Sequence, residues 1–331
     1  MVGSVPEEAG GHLQLGELGN AVSEWSQMLA QAIAAPRGRA RAPRPRRVVR
    51  AAGAARGFHV RLRGSLVLAV GGLADDLVVE LIREAGGRQA RALILPAGAY
   101  GFAVAGERYR RYLRRFGMEH AETLGVTTRA AAEDPAVAAR VAAADLLVLG
   151  GGDPGLLLGV LRGTAVEAAL AAALVRGATV AALGPAVEVV GAWHLPSAED
   201  AEAGGGQGGL ERGLGWIPRA LVAAGPQAAC RIGAVFGAAL TAGVQAVVLD
   251  QRSTVVVRPG WQAEVRSGTL LALGGDEPEV AAGTLPRRHP GSPQGSAPLG
   301  GVYARVAPAG WRLDLATRLV LPPGAVLGAE G

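Results

Sequence analysis

The feature that most constrains this chain is a unit that recurs through its middle. A short apolar run stops at Gly-Gly or Pro, and a stretch of helical character follows. The runs fall at 66–70, 91–95, 146–149 and 179–183, closed by Gly71-Gly72, Pro96, Gly150-Gly151-Gly152 and Gly184-Pro185. Helices are predicted over 76–84, 105–116 and 156–176. Strands that are apolar throughout are buried on both faces, and strands alternating with helices form parallel βαβ units. After residue 243 the pattern turns purely β, with short strands predicted at 247–249, 254–257, 263–265 and 269–272. A Pro/Gly/Ser-rich loop follows at 277–301, and runs at 302–306 and 313–317 close the chain. The predicted fold class is α/β. It is a three-layer α/β/α sandwich with a mainly parallel sheet and a C-terminal antiparallel β extension, preceded by an N-terminal helix.

The first 36 residues have a different character. Leu13, Leu15, Leu18, Val22, Trp25, Met28, Leu29 and Ile33 recur at helical spacing over 13–34. The polar face carries only Glu17 and Glu24, so it reads as docking on its own domain or on a partner subunit, not on a membrane. Pro36 ends this helix. Residues 37–56 hold eight Arg and no acid, interrupted by Pro, which is the composition of a solvated linker. The expected division is therefore 1–36 (amphipathic helix), 37–57 (Arg/Pro-rich linker) and 58–331 (the α/β domain).

Charge excludes some functions. All 33 basic residues of the 331 are Arg, as GC-rich coding would give, and the net charge is +5. Setting aside the eight Arg of the linker leaves 25 against 28 acidic residues, a net of −3. The domain is not a basic nucleic-acid binder, and any polyanion affinity would sit in the linker. A single Cys, Cys230, excludes an intrachain disulfide framework, and it is read as a buried packing residue in a helix starting near Gln227. The five His show no paired metal spacing, so neither metal nor cofactor is expected. The uncharged run 232–249 reaches the length of a membrane span. Its Gly233, Gly237, Thr241, Gly243 and Gln245 instead suggest a buried helix followed by a strand. With no basic-then-apolar leader visible, the expected location is cytoplasmic.

In parallel sheets, ligands bind outside the carboxyl ends of the strands. Gly71-Gly72 lacks the pattern of a nucleotide loop. Gly150-Gly151-Gly152-Asp153-Pro154 offers close backbone approach, with Asp153 as an N-cap and Pro154 at the first helical position. The helix start there would present free N–H groups. The stretch 180–187 has the shape of a nucleophile elbow, but its tip is Gly184-Pro185, with no nucleophile.

Across 62–323 the chain resembles the cyanophycinase family, serine peptidases of the S51 type with a class I glutamine-amidotransferase-like sandwich. The resemblance runs in order through Leu68-Ala69-Val70-Gly71-Gly72-Leu73-Ala74-Asp75, Ile94-Leu95-Pro96-Ala97-Gly98-Ala99 and Val148-Leu149-Gly150-Gly151-Gly152-Asp153-Pro154. It continues through Leu161-Arg162-Gly163-Thr164, Gly213-Leu214-Gly215-Trp216-Ile217-Pro218, Gly243-Val244-Gln245-Ala246-Val247-Val248-Leu249-Asp250 and Leu313-Asp314-Leu315-Ala316-Thr317-Arg318.

The departures fall on the chemistry. The resemblance places Gly184 where the family has its nucleophilic Ser, Gly225 where it has its His base, and Pro154 where it has Gln after Gly-Gly-Asp. Asp153 and Arg231 survive, and the third acidic member falls at Glu202 or Glu199. No Ser or His lies within three residues of Gly184 or Gly225. Losing nucleophile and base together removes orders of magnitude of rate. The resemblance thus implies no catalytic residue here, but a pocket at Gly151, Gly152, Asp153, Pro154, Gly184, Pro185, Glu202, Gly225 and Arg231. It implies a degenerate peptidase that pairs with itself or an active paralogue, or that binds cyanophycin or its β-linked Asp-Arg dipeptide. Two other readings stand beside it: a hydrolase with a relocated nucleophile at Ser197 (near His194) or Cys230, and a small-molecule binding module.

Overall fold

A computed structural model describes residues 62–98, 101–196, 209–275, 302–316 and 318–323. The helix and linker expected over 1–57, the loop 277–301, Ser197, Glu199 and Glu202 lie outside the described residues.

In chain order the first half runs β1 (Leu66–Ala69), α1 (Asp75–Glu84), β2 (Ala92–Gly98), α2 (Phe102–Arg115), β3 (Ala121–Thr123), α3 (Arg129–Ala132), α4 (Pro135–Ala143) and β4 (Leu146–Gly151). Next come α5 (Pro154–Leu161), α6 (Ala165–Arg176), β5 (Thr179–Leu183), a 3-10 turn (Gly184–Val189), β6 (Gly191–His194), β7 (Glu211–Arg212) and β8 (Ile217–Ala224). Then follow α7 (Gly225–Cys230), α8 (Ile232–Ala242), β9 (Gln245–Leu249), β10 (Thr254–Arg258), β11 (Gln262–Ser267), β12 (Thr269–Gly275), β13 (Val302–Pro308), β14 (Arg312–Asp314) and β15 (Val320–Leu321).

The strands form two sheets. A nine-stranded sheet has the order β15-β14-β11-β10-β1-β5-β4-β2-β3, and its β1, β5, β4, β2 and β3 are parallel. A six-stranded sheet has the order β13-β12-β9-β8-β6-β7, with β6, β8 and β9 parallel. The period of two along each central strand sorts its side chains between two cores. Leu66, Leu68, Leu147, Leu149, Val180 and Ala182 join one, with α5, α6, Trp216 just before β8, and the second sheet's Val222 and Val247. Val67, Ala69, Leu146, Val148, Ala181 and Leu183 join the other, with Leu77, Val78 and Leu81 of α1 and Leu113 of α2. Both faces are covered, which is why these strands read as continuous apolar runs.

The α/β class holds, with the antiparallel part arranged differently from the single extension expected. β10, β11, β14 and β15 continue the first sheet, while β12 and β13 extend the second. The chain changes sheet at Gly268, whose φ is +69°. Buried Ser253 clasps this corner: its Oγ donates to the Thr269 carbonyl at 2.7 Å and accepts from Thr269 N at 3.0 Å. Three local readings also change. Pro96 does not close β2; the strand passes through it at a register irregularity, where a missing N–H costs little. The helix expected over 156–176 breaks at Gly163 (φ +75°) into α5 and α6, bent by 95°. Thr164 caps the second piece, accepting from Glu167 N at 3.3 Å. Cys230 is exposed, not buried, because it ends the short α7 just before the chain turns into α8. The run 232–249 is a helix and a strand, α8 and β9, as expected, but α8 is not buried: Ile232, Val235 and Ala239 face the core while Gly233, Ala234, Gly237 and Leu240 are exposed. Among the described residues no single helix is long and apolar enough to cross a membrane.

α1 is locked onto the first sheet by an ionic network. Arg258 Nη2 meets Glu84 at 2.6 Å, Arg258 also pairs with Glu264, and Arg266 Nε meets Glu80 at 3.0 Å. Burial alone would raise the Glu84 carboxyl. The hydrogen bond from the Ser65 hydroxyl and the bond and charge of Arg258 outweigh it and hold the group below its ordinary value. A lowered folded-state value means stabilisation that is present above the ordinary carboxylate range and lost as pH falls through the folded value. Glu84→Gln is expected to lower the unfolding free energy by about 1–3 kcal/mol at neutral pH. The difference should begin to shrink as pH falls through the ordinary carboxylate range and vanish only below the lowered folded-state value. Urea denaturation across pH checks both statements; a difference that stays constant with pH would contradict the ionic account.

Candidate functional site

A cleft of about 570 Å³ opens at the carboxyl ends of β1, β4, β5 and β8. Each wall follows from how a buried strand ends. β4 runs into Gly152, Asp153 and Pro154; β5 into Gly184, Pro185 and Glu188; β8 into Gly225 and Pro226. Val70, His194, Ala224, Arg231 and Gln251 complete the lining. Gly184 and Gly225 leave their strands with φ of +60° and +72°, the left-handed region that lets the chain turn sharply at the sheet edge.

The structure therefore brings together Gly152, Asp153, Pro154, Gly184, Pro185, Gly225 and Arg231, seven of the nine positions expected. Gly151 is the last residue of β4, and Glu202 lies outside the described residues. Two expectations about the glycine turn change. The N–H groups of Gly152 and Asp153 both bond the Gly98 carbonyl at 3.0 Å, and Asp153 Oδ1 accepts from Leu156 N at 2.7 Å. Those three N–H groups are engaged within the protein and are not offered to a ligand. Gly150 is required by packing, since a Cβ there would lie 2.3 Å from the Tyr109 ring.

Three lining residues of chemical interest did not stand out in the sequence as site members: Glu188, His194 (weighed there only beside Ser197) and Gln251. Glu188 lies one turn beyond Gly184, and its Oε1 accepts from Ala224 N at 3.2 Å across the cleft. Burial pushes its carboxyl up to about 7, against the opposing pull of that hydrogen bond and the Arg231 charge. Arg231 itself donates to the Pro196 carbonyl at 2.5 Å, which fixes its guanidinium at the rim. His194, at the end of β6, is 3% exposed. Only the fold could reveal Glu188, because its burial arises from β8, far away in sequence.

The cleft holds two carboxyl groups, an imidazole and a guanidinium. No Ser, Thr, Cys or Tyr is among its described lining residues, and Cys230 does not line it. Acyl transfer through a covalent intermediate needs an activated nucleophile within reach of a base. These walls supply groups for binding and proton exchange but no such nucleophile.

No family model matches this sequence, and no curated protein sequence does. The fold, however, is shared with solved structures. A peptidase from an acI-B1 actinobacterium superposes with a TM-score of 0.51 at 18% identity, covering 78% of this chain and 99% of that one. A protein of Listeria monocytogenes EGD-e, provisionally assigned as a peptidase E, gives a TM-score of 0.43 at 13% identity, covering 59% of this chain and 94% of that one. The first likeness shows the class of architecture: the mixed α/β fold of a peptidase.

The Glu188 carboxyl gives a direct check on this geometry. Its folded-state value lies above the unfolded one, so its neutral form is the one that fits. The associated stability is full below about pH 4.5 and is lost as pH rises through 7. Glu188→Gln is neutral throughout. It should match the wild type near pH 4.5 and exceed it above pH 7.5 by up to about 3 kcal/mol. Parallel stability profiles for the two proteins would show that the carboxylate is hydrated and the cleft open.

Proposed function

We propose that this chain is a catalytically degenerate relative of the cyanophycinase-like S51 serine peptidases that has kept the substrate cleft and binds β-linked Asp-Arg peptides or the polymer made of them. One observation carries the reading. The two strand ends that face each other across the cleft carry Gly184 and Gly225, both in the left-handed region, at the positions where the sequence resemblance puts nucleophile and base.

The remaining groups suit such a ligand. Glu188 offers an acidic partner for its guanidinium, and Arg231 offers a bidentate partner for a carboxylate. The volume is that of an ordinary small-ligand site, within the roughly 300–1,000 Å³ range. Pairing with a second copy or with an active paralogue belongs to the same proposal, motivated by the apolar stripe of residues 13–34.

Incubation of the full chain with cyanophycin and with the β-Asp-Arg dipeptide, following product release and binding together, tests the reading. Saturable dipeptide binding without product is expected, weakened at least about tenfold by Arg231→Ala through loss of the charge-assisted contact. Product release at a rate comparable to a working hydrolase would overturn the degenerate reading. Absence of binding would overturn the peptide-binding part, and co-purification with an active cyanophycinase would then test pairing alone.

A further inference from the structure

The position of Glu188 is built by two strand ends. β5 leaves its sheet at Gly184 into the 3-10 turn Gly184–Val189, which carries Glu188 one turn past the strand. β8 ends opposite it at Ala224, whose N–H donates to Glu188 Oε1 at 3.2 Å. Val187 and Val189, on either side of Glu188, are fully buried, and Ala224 is buried too. The side chain thus rises from an apolar floor into the wall of the cleft.

The carboxyl has one fixed contact and one open side. Oε1 is held by the Ala224 N–H, and among the described residues Oε2 has no hydrogen-bond or ion-pair partner. The charged and titratable groups around it come from the other walls. Asp153 precedes α5, His194 ends β6 and Arg231 follows α7. α5, β1, β4, β5 and the end of β8 bring none. Asp153 Oδ1 is taken by Leu156 N at 2.7 Å, and Arg231 is drawn to the Pro196 carbonyl at 2.5 Å. Arg231 therefore acts on Glu188 through its charge and not by contact. A desolvated carboxyl with a single backbone donor is poorly served as an anion. Below about pH 7 it keeps its proton unless a cation stands beside it.

From this arrangement we propose that the cleft is a proton-exchanging guanidinium site: the guanidinium of a ligand docks on Glu188 and displaces the proton held there. The inference deepens the reading of the cleft as a peptide-binding site and rests on it for the class of ligand. The exchange balances. The carboxylic O–H bond breaks, the proton passes to solvent, and the carboxylate accepts from the N–H donors of the guanidinium. One positive charge enters and one leaves, so the cleft gains no net charge beside Arg231. Affinity for a guanidinium ligand then rises with pH until Glu188 is ionised without it, and levels off above.

The test is calorimetric titration of the full chain across pH, in two buffers of different ionisation enthalpy, which together count the protons released on binding. The probes are the β-Asp-Arg dipeptide, 4-guanidinobutanoate and its uncharged isostere 4-ureidobutanoate. Both guanidinium probes are expected to release close to one proton near about pH 6, and to gain at least about tenfold in affinity from about pH 5.5 to about pH 7.5. The ureido probe releases none. Glu188→Gln, which keeps the side-chain shape, should release none with any probe; if it fails to fold, the guanidino–ureido comparison on the wild type still decides. Guanidinium binding without proton release, or release that persists in Glu188→Gln, overturns the inference and leaves the peptide-binding reading standing. Absence of dipeptide binding at every pH overturns that reading instead. In that case proton release by 4-guanidinobutanoate upholds the exchange, and no binding of it overturns the exchange as well.

Discussion

Everything in this molecule is arranged around β5. It is paired on one side with β1 and on the other with β4, and every one of its residues is buried. A strand in that position can take no charged side chain and no kink. Its polar business is deferred to the point where the chain leaves the sheet. There, after Leu183, the backbone turns through a left-handed Gly184 into a tight 3-10 turn, and the ends of β1, β4 and β8 emerge beside it. The cleft is thus the place where a doubly covered parallel sheet first meets solvent. Its walls are strand ends held by the two cores, not loops that must order on binding.

That origin explains its chemistry. The backbone at the Gly152-Asp153 turn is spent on Gly98, and the Asp153 side chain on capping α5. What remains for a ligand comes from side chains projected across the gap. Glu188 reaches toward the end of β8 and is desolvated by it, while Arg231 sits at the rim, anchored to Pro196. The Glu188 carboxyl, raised to about 7, can exchange a proton, while the Arg231 guanidinium keeps its charge. Among the described residues no hydroxyl or thiol lines the cleft beside that carboxyl.

The fold was largely legible because its signals are local. Each central strand is an unbroken apolar run, and Asp153-Pro154 marked the start of α5. The turn after β4 and the elbow after β5 could be located from glycines alone, and the resemblance supplied Gly225 and Arg231; seven expected site positions meet in one cleft. Other features depend on partners far along the chain. The Ala-rich stretch that makes α3 and α4 has too little contrast between faces to announce itself. Pro96 reads as a strand end until the register irregularity beside it is seen. The division of the C-terminal strands between two sheets is decided at Gly268 by a contact with Ser253, and no local pattern encodes it. Glu188 looks like one more surface acid until β8 buries it.

Among its described residues the strand-end cleft has no activated nucleophile. Treatment of the full chain with a serine-directed fluorophosphonate, followed by intact-mass measurement and peptide mapping, tests this most directly. The account predicts no adduct on any residue of the cleft at neutral pH. A stoichiometric adduct mapping to Ser197 or another hydroxyl brought against Glu188 or His194 would contradict it and restore a working hydrolase.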